Sequence, residues 1–146
     1  MATDLLEPHL RALLPFTADA PTAARAQLRS FGESLTAGTI DDALVMVSEL
    51  VTNAVQHGKP DVTLRFWLRS DRLTVAVTDR GGGTVPRTNR VPGRDQQSGR
   101  GLLIVDALAA RWGVSRTDRA AGKTVWFDLA APRHTRNRPS ARRTMD

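Results

Sequence analysis

The chain has 146 residues, a length that suits one domain around one hydrophobic core. It contains no cysteine, which excludes disulfides, a thiolate zinc site and a cysteine nucleophile. Its net charge of +6 suggests an anionic partner, but residues 132–146 carry five arginines and one aspartate, which leaves only +2 for the rest.

The three histidines, His9, His57 and His134, are scattered, with no metal-ligand spacing. No stretch is long and apolar enough to span a membrane. The N-terminus lacks the basic start and apolar run of a secretory signal, so cytoplasmic residence is expected.

Leu13-Leu14-Pro15-Phe16-Thr17 is a short apolar run containing proline, as in an edge strand. Asp19 is the expected cap of a first helix, with Pro21 in its first turn. That helix carries Ala23, Ala24, Leu28 and Phe31 and stops near Gly32. Thr39 is the expected cap of a second helix, with Asp42 in the reciprocal acidic position. Its apolar stripe is Leu44, Val47, Val51, Ala54 and Val55, and Gly58 and Pro60 end it.

From Val62 to Arg69 the residues alternate, with Val62, Leu64, Phe66 and Leu68 on one face. Arg65, Trp67 and Arg69 point outward, and Trp67 is either an interface anchor or covered by a terminal segment. Ser70-Asp71-Arg72 turns the chain, and Leu73 to Asp79 returns as the second strand of a hairpin. Asp79 shares its face with Leu73, Val75 and Val77, so its carboxylate needs a partner.

Thr84 to Gln97 is a polar loop, long for a compact domain. Ser98 is the expected cap of a third helix carrying Leu102, Leu103, Val105, Ala107 and Leu108 and ending near Gly113. Lys123 to Leu129 is the last strand, with Val125, Phe127 and Leu129 inward. The order of strand, two helices, hairpin, loop, helix and strand predicts an α+β fold. A mixed sheet covered on one face by helices satisfies it. The tail is too polar to fold and is expected to be disordered.

Glu49 and Asn53 lie one turn apart on the second helix and share a face. A carboxylate can take a proton from a nucleophile, and a carboxamide oxygen can ligate Mg²⁺. Such pairs are common on solvated helix faces, so their context decides. Two glycine-rich segments follow, Asp79-Arg80-Gly81-Gly82-Gly83 and Ser98-Gly99-Arg100-Gly101. Glycine lets backbone approach a ligand, and a helix start attracts phosphate. The segment at Gly99 lacks the third glycine of a dinucleotide fingerprint. Gly122-Lys123-Thr124 lacks the first glycine of a P-loop and leads into a strand.

The order of these parts resembles the ATP-binding fold of gyrase, heat-shock chaperones, histidine kinases and mismatch-repair proteins. That is a two-layer α/β sandwich of the Bergerat type, in the GHKL superfamily. Val47 to Val55 and Ser98 to Trp112 are most similar to the small anti-sigma factor serine/threonine kinases, and the resemblance covers roughly residues 13–131.

It implies ATP and Mg²⁺ as cofactors. Asn53 would ligate the Mg²⁺ that bridges the triphosphate, and Glu49 would be the general base. Asp79 would accept a hydrogen bond from the adenine amino group, with Gly81 and Gly83 making room for the base. Gly99 and Gly101 would let the lid cross the phosphates, with Arg100 between them as a cation for phosphate. Thr124 would support the adenine end through Asp79 or a water. His57 is either a cation near a helix C-terminus or a nucleotide contact.

The implied function is a protein kinase that phosphorylates a STAS-type antagonist and sequesters a sigma factor, in a family that often forms homodimers. The alternative is a non-catalytic ATP-dependent switch that binds proteins. A tail that binds nucleic acid is the least favoured reading. The expected domains are an extension at 1–12, the ATPase domain at 13–131 and a basic tail at 132–146. The dimerisation helices of a histidine kinase are not expected, because the stretch before Leu13 is too short for them.

Overall fold

The computed structural model describes residues 7–81, 97–117 and 122–132. In chain order the elements are β1 (Leu10–Leu14), α1 (Ala20–Phe31), α2 (Ala37–His57), β2 (Val62–Arg69) and β3 (Arg72–Asp79). α3 (Gln97–Leu108), β4 (Arg111–Thr117) and β5 (Gly122–Ala130) complete them. Among the described residues five strands form one sheet in the order β1-β2-β3-β5-β4, and the helices pack on one face.

Every ladder is antiparallel, where a mixed sheet was expected. The difference lies in β4. Gly113 reads as a helix terminator in the sequence, yet it sits inside a strand opposite Trp126. A Cβ at Gly113 would press on the Trp126 ring, so the glycine makes space for an indole across the strand. α3 therefore stops at Leu108, and Trp112 ties β4 back to it by donating from Nε1 to Asp106 at 2.8 Å. Because β4 reverses the chain once more, β5 returns antiparallel to β3.

The helix starts follow local chemistry. Asp19 is the N-cap of α1, but its side chain makes no capping bond. Its own N–H donates instead to Thr17 Oγ1 at 3.1 Å. In α2 the cap is Thr36, three residues before the expected Thr39. Thr36 has extended backbone, and its hydroxyl accepts from the Thr39 N–H at 3.4 Å. Thr39 is thus the N3 residue, and Asp42 lies a turn too late to complete a capping box. β1 runs Leu10–Leu14, earlier than the expected run through Thr17. Leu14 already pairs with Val62, the first residue of β2, and Pro15 has no N–H to extend the ladder.

α2 has α1 on one flank, α3 on the other and the sheet beneath. Its buried line accordingly includes Ala43, Met46 and Leu50 beside the expected Val47, Val51 and Ala54. Leu44 and Val55 are only partly buried. On the α1 side, Arg25 donates to Ser48 Oγ at 2.9 Å. Phe66, Phe127, Leu28, Leu64, Leu73 and Leu102 fill the space between the layers.

Phe127→Ala should cost about 3–5 kcal/mol in denaturant unfolding, because it empties the centre of this core. Leu13→Ala, at a side chain 68% exposed, should change stability by less than about 0.5 kcal/mol. Equal effects would mean that the layers do not pack on Phe127.

Candidate functional site

β3 runs toward the C-terminal end of α2 and delivers Asp79 beneath it. The Asp79 carboxylate is only 2% exposed. Its Oδ1 accepts the Gly81 N–H at 2.7 Å and, more weakly, the Lys59 N–H at 3.4 Å. The backbone closes over it because two residues lack side chains. A Cβ at Gly58 would overlap the carboxylate, and one at Gly81 would lie 3.0 Å from Oδ1 and 3.1 Å from Lys59 N. Gly58 also ends α2, with its N–H bonded to Ala54 O at 2.8 Å. Arg80 N–H donates to Lys59 O at 2.9 Å and fastens the two segments together.

The other oxygen, Oδ2, lies 3.0 Å from Lys123 Nζ. Asp79 and Lys123 are register partners across β3 and β5. The lysine is 5% exposed. The separation is that of an ion pair, but the angles are not those of a hydrogen bond, and among the described residues the ammonium has no hydrogen-bond acceptor. Sequence reasoning missed Lys123, although strand alternation carries the signal: if Val125 and Phe127 face the core, so does residue 123.

The same alternation turns Thr124 to the opposite face. Its Oγ1 lies 2.7 Å from Thr78 Oγ1, and Arg65 also reaches Thr78 at 3.2 Å. The structure thus separates Thr124 from the Asp79 carboxylate by the thickness of the sheet.

Glu49 and Asn53 are half-buried on α2, on the flank turned away from Ser48 and α1. With a rise of 1.5 Å per residue, Asn53 lies ~7.5 Å and Glu49 ~13.5 Å up the helix axis from Gly58. Reading from Asp79, the groups follow as carboxylate, carboxamide, carboxylate. Among the described residues no cluster of three or more His, Cys, Asp or Glu could hold a metal. A Mg²⁺ that keeps its waters and takes phosphate oxygens fits a site offering the single Asn53 carboxamide.

Gly99, Arg100 and Gly101 lie within α3, which starts at Gln97, before the expected cap at Ser98. Their side-chain positions lie outside the described residues, as do Gly83, the loop and the basic tail. His57 is exposed at the last turn of α2.

A second buried carboxylate, Asp128, stands at the opposite end of the sheet on its other face. It accepts from Thr74 Oγ1 and Arg111 at 2.6 Å each, with Arg72 at 3.5 Å. An open cavity of about 500 Å³ adjoins it, lined by Trp67, Arg69, Arg72 and Arg111. Trp67 points outward as expected, yet it is 1% exposed, with the Arg65 guanidinium 5.1 Å from its ring centroid.

Residues 14–129 match the family model of the histidine kinase-like ATPase domain. The chain belongs to this family. Domains of this family bind ATP with Mg²⁺. An uncharacterized protein of Streptomyces coelicolor is 37% identical over 79 residues, covering 51% of this chain and 75% of that protein. Among solved structures, the histidine kinase domain of the Erythrobacter litoralis blue-light activated histidine kinase is 24% identical, with a TM-score of 0.51. The match covers 76% of this chain, which spans 59% of that domain's length. The histidine kinase domain of the Escherichia coli osmosensor EnvZ is 15% identical over 88% of this chain and 92% of that one, with a TM-score of 0.48. No helix among the described residues of this ATPase domain is long and apolar enough to cross a membrane.

The fit of Gly58 against Asp79 can be tested by thermal or denaturant unfolding. Gly58→Ala should destabilise by roughly 1–3 kcal/mol through overpacking, since its backbone angles tolerate alanine. Gly38→Ala, in the first turn of α2 with nothing within 4 Å of its Cβ, should be neutral or stabilise by up to about 1 kcal/mol. A harmless Gly58→Ala would mean that the carboxylate is not held this closely.

Proposed function

We propose that this ATPase domain is an ATP-binding regulator that transfers phosphate to a serine or threonine of a protein partner. The observation that carries the reading is the line from Asp79 along α2 to Asn53 and Glu49. A nucleotide laid along it meets an acceptor at its base, a metal ligand at its phosphates and a carboxylate near the terminal phosphate.

Asp79 is held for this role by the Gly81 and Lys59 N–H groups, which fix Oδ1. Gly81 keeps side-chain volume out of the base site. Asn53 would hold the Mg²⁺, whose charge would offset that of the phosphates. Glu49 accepts the proton of the attacking hydroxyl. Phosphoryl transfer asks little covalent chemistry of a protein, so positioning and charge account for most of the effect. Gly99, Arg100 and Gly101, at the start of α3, close on the phosphates with backbone N–H groups and one cation.

The partners we propose are a STAS-type antagonist as phosphate acceptor and a sigma factor as the protein sequestered. The similarity of Val47 to Val55 and Ser98 to Trp112 to anti-sigma factor kinases supports them. A homodimer through β1 fits the exposed Leu13 on that edge strand. A non-catalytic switch would use Asn53 and Asp79 alike and leave Glu49 without a task.

Calorimetric titration of Mg–ATP into the wild type and Asp79→Asn tests the base site, with circular dichroism as the check on folding. We expect affinity to fall at least tenfold in a folded variant. Glu49→Ala should keep ATP affinity within about twofold and lose phosphate transfer to STAS-domain proteins by two orders of magnitude or more. Tight ATP binding with no transfer by the wild type would establish the switch. Full transfer by Glu49→Ala would remove Glu49 as the base.

A further inference from the structure

Lys123 is one of two lysines in a chain with nineteen arginines. It is buried on the inner face of β5 beside Asp79. An ammonium carries three donors and no acceptor. Among the described residues none of the three makes a hydrogen bond, though the Asp79 carboxylate is 3.0 Å away. Buried donors without acceptors are rare, because each has given up its water. Asp79 Oδ1 is engaged by backbone, while Oδ2 faces only this ammonium among the described residues. A carboxylate oxygen has two lone pairs, so Oδ2 can accept again. The pair therefore presents an acceptor lone pair beside donors without acceptors, next to the backbone of Gly58 and Gly81.

Adenine has the complementary edge, a 6-amino donor next to the N1 acceptor. We infer that Lys123 is a second base-reading residue, whose ammonium donates to N1 while Asp79 accepts from the 6-amino group. This rests on the assignment of Asp79 to the adenine site. Hypoxanthine in the same pose presents O6 and N1–H, which reverses both contacts. The pair then selects adenine by two matched hydrogen bonds and rejects the 6-oxo purine by two mismatches. A compact ammonium suits the position, since a planar guanidinium needs more room and a fixed fork of partners.

The test is calorimetric titration of Mg–ATP, Mg–1-deaza-ATP and Mg–ITP into the wild type, Lys123→Met and Asp79→Asn. 1-Deaza-ATP keeps the amino group and lacks N1. We expect the wild type to bind it roughly tenfold to a hundredfold more weakly than ATP, as for a hydrogen bond from a charged group. Lys123→Met should bind ATP and 1-deaza-ATP equally. The wild type should reject ITP more strongly than it rejects 1-deaza-ATP.

Equal wild-type affinities for ATP and 1-deaza-ATP, with ATP binding weakened in Asp79→Asn, would overturn the role of Lys123 alone. That comparison needs no folded Lys123 variant. A preference for ATP over 1-deaza-ATP that persists in Lys123→Met would overturn it too. No ATP binding by the wild type, or undiminished binding by Asp79→Asn, would overturn the adenine site itself and this inference with it.

Discussion

A charge buried as deeply as that of Asp79 has to be compensated where it stands, and the surrounding structure is shaped by that requirement. An isolated carboxylate loses its hydration on burial, at a cost larger than the net stability of most domains. The compensation comes from three directions. The Gly81 and Lys59 N–H groups point at one oxygen, and the Lys123 ammonium sits at the other. Removing one member of such a pair typically costs about 3–5 kcal/mol, while replacing both with apolar groups is often neutral. Stability alone therefore gives little reason to keep the pair, and a ligand that reads it gives a better one.

The same requirement accounts for how α2 ends. A helix finishing on any residue with a Cβ would collide with the carboxylate. Gly58 solves the collision and closes the helix in one position. α2 is thereby locked to β3 at one end and wedged between α1 and α3 along its length. A rigid middle helix fixes the spacing from Asp79 to Asn53 and Glu49. The roles we propose for these residues need that rigidity, since small misplacements of reacting groups cost large factors in rate.

Much of this was legible in the sequence wherever one periodicity ruled alone. The hairpin from Val62 to Asp79 alternates without interruption, and its core face followed directly, with Asp79 on it. The pair on α2 was legible because four-residue spacing has one meaning on a helix. Readings failed where a residue had two meanings. Gly113 is both a helix stop and a hole for the Trp126 ring, and the second meaning depends on a strand far along the chain. Thr36 and Thr39 are both capping residues, and the choice between them rests on backbone angles. At residues 123 and 124 motif outweighed alternation, so the threonine drew attention while its neighbour faced the core.

The two buried carboxylates among the described residues of the sheet differ in what they leave unfinished. Asp128 is met by a hydroxyl and two guanidinium groups, the nearer contacts at 2.6 Å, and those arginines extend into solvent on their outer sides. Its oxygens are met on both sides, which is what a structural acid needs, and of the three arginines that line the open cavity beside it, it already engages Arg72 and Arg111. Asp79 is met by a cation that is itself buried and has donors left over. A complete shell holds strands together; a buried ammonium with donors left over has capacity for a further acceptor. By that criterion the end of the sheet under Gly58 is the one we propose for ligand binding, and the end at Asp128 joins β3, β4 and β5.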